Sequence, residues 1–155
     1  MNVEPIAPFL EPVVKTVTVR KPVPDAFRVF TRDFGRWWPL SKGFCVSGAR
    51  VAGCTFEERA EGAIFETDAD GTRVQWGRVT VWEPPGRVVF TWHPGKDASV
   101  AQEVEITFVP DGDGTRLTLV HRGWQKLGEG AAQARAGYDE GWGVVLSQHF
   151  VPACA

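Results

Sequence analysis

Residues 101–122 read AQEVEITFVPDGDGTRLTLVHR, and their alternation decides the architecture. In the first half Val104, Ile106 and Phe108 alternate with Glu103, Glu105 and Thr107, so an extended segment has one apolar and one wet face. In the second half Leu117, Leu119 and His121 share a face opposite Arg116, Thr118, Val120 and Arg122. The intervening PDGDG is tight-turn chemistry, so the two runs predict an antiparallel hairpin.

Upstream the same punctuation repeats. Segments 50–60, 64–67, 73–82 and 87–93 are separated by AEG, DADG, EPPG and PGKDAS, spacings that favour hairpins over crossover helices. Val88, Phe90 and Trp92 alternate cleanly. In 73–82, Val74 and Trp76 have one parity and Val79 and Val81 the other, which predicts a bulge near Gly77. Residues 13–20, VVKTVTVR, form another strand with Val13, Val17 and Val19 on one face, stopped by Pro22 and Pro24. Two short helices, 25–30 and 33–38, follow as a V that ends at Pro39. In the tail, 129–151, Ala134, Tyr138, Trp142, Val145, Leu146 and His149 make a helical stripe. Gly137, Gly141 and Gly143 weaken that helix, so it must lie close against something. The expected fold is α+β: a curved antiparallel sheet of about seven strands, two short helices after the first strand, and a long C-terminal helix across the sheet. Residues 1–12, with Pro5, Pro8 and Pro12, read as a flexible lead-in to one domain over 13–152.

The chain has 155 residues, a formal net charge of −2 and 43% hydrophobic residues, which is ordinary single-domain composition. No basic excess pulls it towards nucleic acid, and no apolar run is long enough for a membrane span. The acidic, proline-broken start does not read as a signal peptide. Cys45, Cys54 and Cys154 are odd in number and lack a CxxC, so neither a disulfide framework nor a zinc ribbon is indicated and a reducing cytoplasm is expected. Seven Trp against one Tyr suggest a bulky aromatic core, one that could line a cavity.

A sheet closing imperfectly on a helix leaves an apolar hollow, the usual form of a ligand site. Its expected lining is Trp76, Phe90, Trp92, Ile106, Phe108, Leu119 and His121 from the sheet, with Tyr138, Trp142 and His149 from the helix, although core packing would place the same residues inside. His121 could serve as acid, base or ligand donor, or as a satisfied structural histidine. His93, of opposite parity to Trp92, is expected on the solvent side. Arg78 beyond the bulge is expected to point outward, and Glu57, Glu58, Glu103 and Glu105 read as a solvated face. Trp37 and Trp38 could gate a cavity mouth or pack on the sheet edge. No HExxH, GxGxxG, GxxxxGK or GxSxG string occurs, and no metal or cofactor is expected.

Four strings carry a resemblance: PVPDAFRVFTRDFGRWWP (22–39), WGRVTVWEPPGRVVFTWHP (76–94), GDGTRLTLVHRGW (112–124) and YDEGW (138–142). Together they resemble the START-like (Bet v 1-like, SRPBCC) helix-grip superfamily, in the bacterial branch related to activators of the heat shock protein 90 ATPase. The resemblance implies a pocket between sheet and C-terminal helix and no shared catalytic motif. Cys54 stands where relatives often carry a bulkier residue, which would enlarge the pocket or be repacked by a neighbour. The leading expectation is a protein that binds a small apolar or aromatic molecule. A co-chaperone-like module would need an exposed apolar patch. A cyclase-, dehydratase- or hydrolase-type enzyme, suggested by related branches, would use His121, Tyr138 or His149 as proton carriers. Homodimerisation is expected only by analogy.

Overall fold

Alternating Val and Thr residues build β1 (Val13–Val19), and Pro24 in the first turn starts α1 (Val23–Thr31). α1 buries Ala26, Phe27, Val29 and Phe30 and leads into α2 (Phe34–Trp37). Trp38 is then forced into extended backbone (φ −62°, ψ 132°) by Pro39, which ends the helix. Strands β2 (Val51–Phe56), β3 (Ala63–Asp68), β4 (Arg73–Glu83), β5 (Arg87–Trp92), β6 (Gln102–Asp111) and β7 (Gly114–Arg122) follow. The chain closes with α3 (Ala131–Val145), a π turn (Leu146–Phe150) and a last helical turn, α4 (Val151–Ala153). This computed structural model describes residues 9–155. Most of the expected lead-in therefore lies outside the described residues. Of the remainder, Leu10 packs on the core, and Arg135 of α3 donates hydrogen bonds to the Glu11 and Pro12 carbonyls. No helix of the described residues is long and apolar enough to cross a membrane.

The sheet is a curled, seven-stranded antiparallel meander in the order β1-β7-β6-β5-β4-β3-β2. The hairpin expected over 101–122 is β6–β7, with Val104 opposite His121, Ile106 opposite Leu119 and Phe108 opposite Leu117. β4 carries two bulges, not one. Against β3, Ile64 pairs with Gly77 and Phe65 with Gln75, leaving Trp76 extra; against β5, Val79 pairs with Phe90 and Val81 with Val89, leaving Thr80 extra. Each extra residue resets the pleat, so Trp76, Val79 and Trp82 all reach the core at steps of three. Gly77 is required there, because a Cβ would fall 1.8 Å from the Thr91 carbonyl oxygen. Arg78 points outward and pairs with Glu61 (3.4 Å).

The concave side is filled by interlocking rings. Phe30 meets Phe34, Trp37, Phe56, Phe108 and Phe150, and Phe27 packs on Phe108 (5.2 Å) and Trp82 (5.1 Å). On the convex face, Arg87 donates to Glu83 and Glu105, and Arg122 donates to Glu103 and Glu105. Glu105 bridges both guanidinium groups, at 2.6 and 2.8 Å. Glu105→Gln is expected to lower stability by about 1 kcal/mol, an effect that shrinks as salt is added. Urea unfolding in low and high sodium chloride checks both the size and the screening.

Candidate ligand cleft

An open space lies between the C-terminal helix and the α2–β2 loop, not at the centre of the sheet. A cleft of about 330 Å³ is bounded on one side by Ala134, Gly137, Tyr138, Gly141, Trp142 and Val145 of α3. Gly43, Phe44, Cys45 and Val46 of the α2–β2 loop form the other side, and Trp38, Trp92 and Pro94 line the rest. Of the residues expected in the pocket, Trp92, Tyr138 and Trp142 line this cleft. Trp76, Phe90, Ile106, Phe108 and Leu119 do not: they are solid core, because Phe27, Phe30 and Phe34 of the short helices reach across the concave face and occupy the expected hollow. Cys54 is also core, under α2, where Gly35 lies against its carbonyl, so the smaller side chain does not enlarge the cleft.

His149 is a second correction. The π turn inserts a residue into the helical repeat, so Trp142, Leu146, Phe150 and Cys154 point inward and His149 is carried to a half-exposed flank. His93 is a third. It is buried (8% exposed), with Nδ1 3.0 Å from the Lys96 carbonyl, because the chain turns back on itself after Pro94.

His121 has no exposed surface and sits directly behind the cleft wall. The Trp142 indole N–H can only donate, so His121 Nδ1 accepts from it (2.9 Å). The ring proton therefore resides on Nε2, which donates to Gln102 Oε1 (3.2 Å). Trp124 stacks on one face (4.1 Å) and Tyr138 leans on the ring (4.9 Å). Both nitrogens are occupied, so His121 fixes Trp142 and has no free atom for a ligand. Burial pushes its pKa from 6.5 down to about 3. Between these two values the unfolded chain takes up a proton that the folded protein refuses. The His121 contribution to stability is therefore expected to be level above pH 6.5 and to fall by up to about 1.4 kcal/mol per unit below it. Urea unfolding at pH 7, 6 and 5 tests this, and His121→Asn should remove that part of the slope.

Sequence reasoning misses Glu66. It shares inward parity with Ile64 on β3 and is fully buried. Its Oε1 accepts from the Val46 amide (2.6 Å) and the Trp76 indole (2.7 Å), and its Oε2 from the Ser47 amide (2.8 Å). Burial by itself would raise the carboxyl pKa; the Ser47 and Val46 amides and the Trp76 indole outweigh it and hold the group below the usual range. Glu66 thus ties down the loop that walls the cleft. Trp38 adds a second tie, donating from Nε1 to the Phe44 carbonyl (3.2 Å), whereas Trp37 points into the core and bonds the Val29 carbonyl (2.8 Å). A glutamate on the same parity as Ile64, two residues along the strand AIFETD, is the available signal.

One polar group, the Tyr138 phenol, stands in the cleft wall, and a second, the Trp92 indole N–H, is buried behind it. Burial raises the Tyr138 phenol above its usual range and the neighbouring Trp92 indole N–H lowers it, with a net rise, so the hydroxyl stays protonated and able to donate. Trp92 is 2% exposed, and its Nε1 lies near enough to the Tyr138 oxygen to favour the phenolate without closing a full hydrogen bond; it is one of two buried donors that lack one among the described residues, the other being Trp124 Nε1. An unpaired buried N–H costs about 1–3 kcal/mol.

The family model "Activator of Hsp90 ATPase homolog 1-like protein" matches residues 20–151. Among solved structures, the anthrahydroquino-γ-pyrone synthase Txn09, determined in a complex, is 34% identical, with 94% of this chain and 97% of that one covered and a TM-score of 0.65. A protein from Nitrosomonas europaea is 19% identical over 92% of this chain and 93% of its own, with a TM-score of 0.67. The Aha1 dimer from Colwellia psychrerythraea is 15% identical over 94% and 96%, with a TM-score of 0.62. The last two show the fold alone. No curated protein matches the chain. A curled seven-stranded sheet around a long C-terminal helix, joined to a family match over nearly its whole length, makes this chain a member of the Activator of Hsp90 ATPase homolog 1-like family, within the START-like helix-grip superfamily.

Proposed function

We propose that the protein binds a small, flat, uncharged aromatic molecule that carries oxygen acceptors. The observation that supports this most is the cleft itself: about 330 Å³, walled by Trp38, Trp92, Trp142 and Tyr138, with no charged side chain in its lining. Burying a carboxylate, phosphate or ammonium there would leave it unpaired, a penalty of several kcal/mol. Flat indoles favour a fused ring, each stacked pair adding about 0.5–1.5 kcal/mol beyond area burial. The volume stands at the small end of the range for ligand pockets, ~300–1,000 Å³. Similarity to a synthase that makes an anthrahydroquinone pyrone points to the same compound class.

The test is a tryptophan-fluorescence titration with 1,8-dihydroxyanthraquinone and with its sulfonated analogue. The neutral probe is expected to bind at about micromolar Kd, and the sulfonate at least tenfold more weakly. Equal binding of both, or of neither, removes the proposal.

A second reading, ring closure on the bound molecule, is favoured by that same similarity and by the protonated Tyr138 hydroxyl at the cleft. Incubation with a hydroxylated anthraquinone bearing an unsaturated ketone side chain, followed by mass-resolved chromatography, tests it: an isomeric cyclised product is expected only with protein present. Binding is proposed ahead of a chaperone-docking role because the exposed large apolar residues, Phe9, Val14, Val46 and Val109, lie on separate segments. The three unpaired thiols fit a reducing compartment such as the cytoplasm. The Colwellia dimer motivates a sedimentation measurement for self-association.

A further inference from the structure

The helix face that floors the cleft is stripped of side chains where the fold does not need it to be. A Cβ built at Gly137 meets nothing within 4 Å, and at Gly141 only Phe44 Cε1 at 3.5 Å, an ordinary contact. Neither residue has a positive φ. Compare Gly35, where a Cβ would fall 2.4 Å from the Cys54 carbonyl oxygen, so that packing demands glycine. Gly137 and Gly141 weaken α3 without serving a contact inside the protein. Independently, the cleft wall carries the Tyr138 phenol, whose protonated hydroxyl is able to donate to a ligand oxygen.

We propose that Gly137 and Gly141 are specificity-determining residues: their bare backbone is the floor on which a fused planar ring system lies flat, with a carbonyl or phenolic oxygen at its edge accepting from the Tyr138 hydroxyl. This deepens the reading of the cleft as a ligand site and rests on it. Ligand breadth is then set at position 137, and the oxygen acceptor separates true ligands from hydrocarbons of the same outline. Side chains at 137 should act on wide ligands and spare narrow ones.

The experiment uses the full-length protein with Gly137→Ala, Gly137→Leu and Gly143→Ala, and with 1,8-dihydroxyanthraquinone, anthracene and phenol as probes. Gly143 is helical but outside the cleft lining. Both alanine variants are expected to raise the Tm by about 2–4 °C, since helix propensity improves. Gly137→Ala should nevertheless bind the anthraquinone about tenfold more weakly, Gly137→Leu should lose it, and Gly143→Ala should bind it as the natural protein does. Phenol binding should be unchanged by all three, and the natural protein should prefer the anthraquinone to anthracene by tenfold or more. Opposite signs for stability and affinity at position 137 are an outcome that a purely structural glycine would not give. If the natural protein binds the anthraquinone and Gly137→Leu binds it within twofold, this inference is overturned while the cleft reading stands. Equal affinity for anthracene overturns the assignment of Tyr138. If the natural protein binds no probe, the cleft reading fails and the inference falls with it.

Discussion

Replacing Phe30 with alanine is expected to remove about 4 kcal/mol of folding stability, within the ~3–5 kcal/mol range for large aromatic truncations in a core. Phe30 is fully buried, and its ring lies 5.3 Å from Trp37, 5.6 Å from Phe150, 6.0 Å from Phe108 and 6.2 Å from both Phe34 and Phe56. Those partners come from α2, the C-terminal helix, β6 and β2. The side chain is thus a point where both short helices, the sheet and the terminal helix meet. Its neighbours are themselves rigid rings, so the void cannot collapse cheaply, and the edge-to-face attraction between rings is forfeited on top of the hydrophobic transfer energy. Domains of this size hold only about 5–15 kcal/mol in total, so the variant should sit near its unfolding threshold at 37 °C. Urea unfolding at 25 °C is the measurement, with the midpoint shifted and the slope unchanged. A loss under about 1.5 kcal/mol would mean that the rings repack and that the core is not one interlocked unit. Val14→Ala, on the exposed face of β1, is the matched control and should change little.

Glu66→Ala is expected to cost about 3 kcal/mol and to act on the cleft as well as on the fold. Removing the carboxylate strands the Trp76 indole and the Val46 and Ser47 amides, each of which has given up water to reach it. Because the same loop supplies Phe44, Cys45 and Val46 to the cleft wall, hydrogen exchange should accelerate over residues 43–47 before the sheet is affected. Glu66→Gln keeps an acceptor but turns an NH2 group towards a donor, so an intermediate loss is expected. The carboxyl is held below its unfolded value, so its contribution is present above about pH 4.5 and lost as pH falls through the folded value. His121 starts to act earlier, below pH 6.5. Acid should therefore weaken the protein in two stages. Exchange over 43–47 that matches the natural protein in Glu66→Ala would refute the role of Glu66 in holding the loop.

The meander is readable because its strands alternate and its turns are rich in Gly, Pro and Asp; β6 and β7 fall where the pattern of 101–122 puts them. Parity also sends Trp76, Phe90, Phe108 and Leu119 inward. What parity cannot give is how far a ring from another element reaches, and Phe27 and Phe30 fill the space those residues are expected to border. The helix stripe is legible as far as Leu146 and misleading at His149, because a π turn changes the period without any marker in residue type. The second bulge, at Thr80, is hidden since Val81 and Trp82 are both apolar and either could be the inward one. The loop wall of the cleft carries no periodicity, and it owes its place to Glu66, a residue on a different strand.

The sheet order has a kinetic corollary. β1 is laid down first yet bonds to β7, the last strand, with Thr16 opposite Thr118. During synthesis, residues 13–19 must wait unpaired until nearly the whole meander has left the ribosome, and the terminal helix comes later still. Closing so large a loop carries its entropic penalty up front, which places refolding on a time scale of milliseconds to seconds, slower than for helical domains of similar length. Through that interval a Val-rich ribbon is open to partners other than its own.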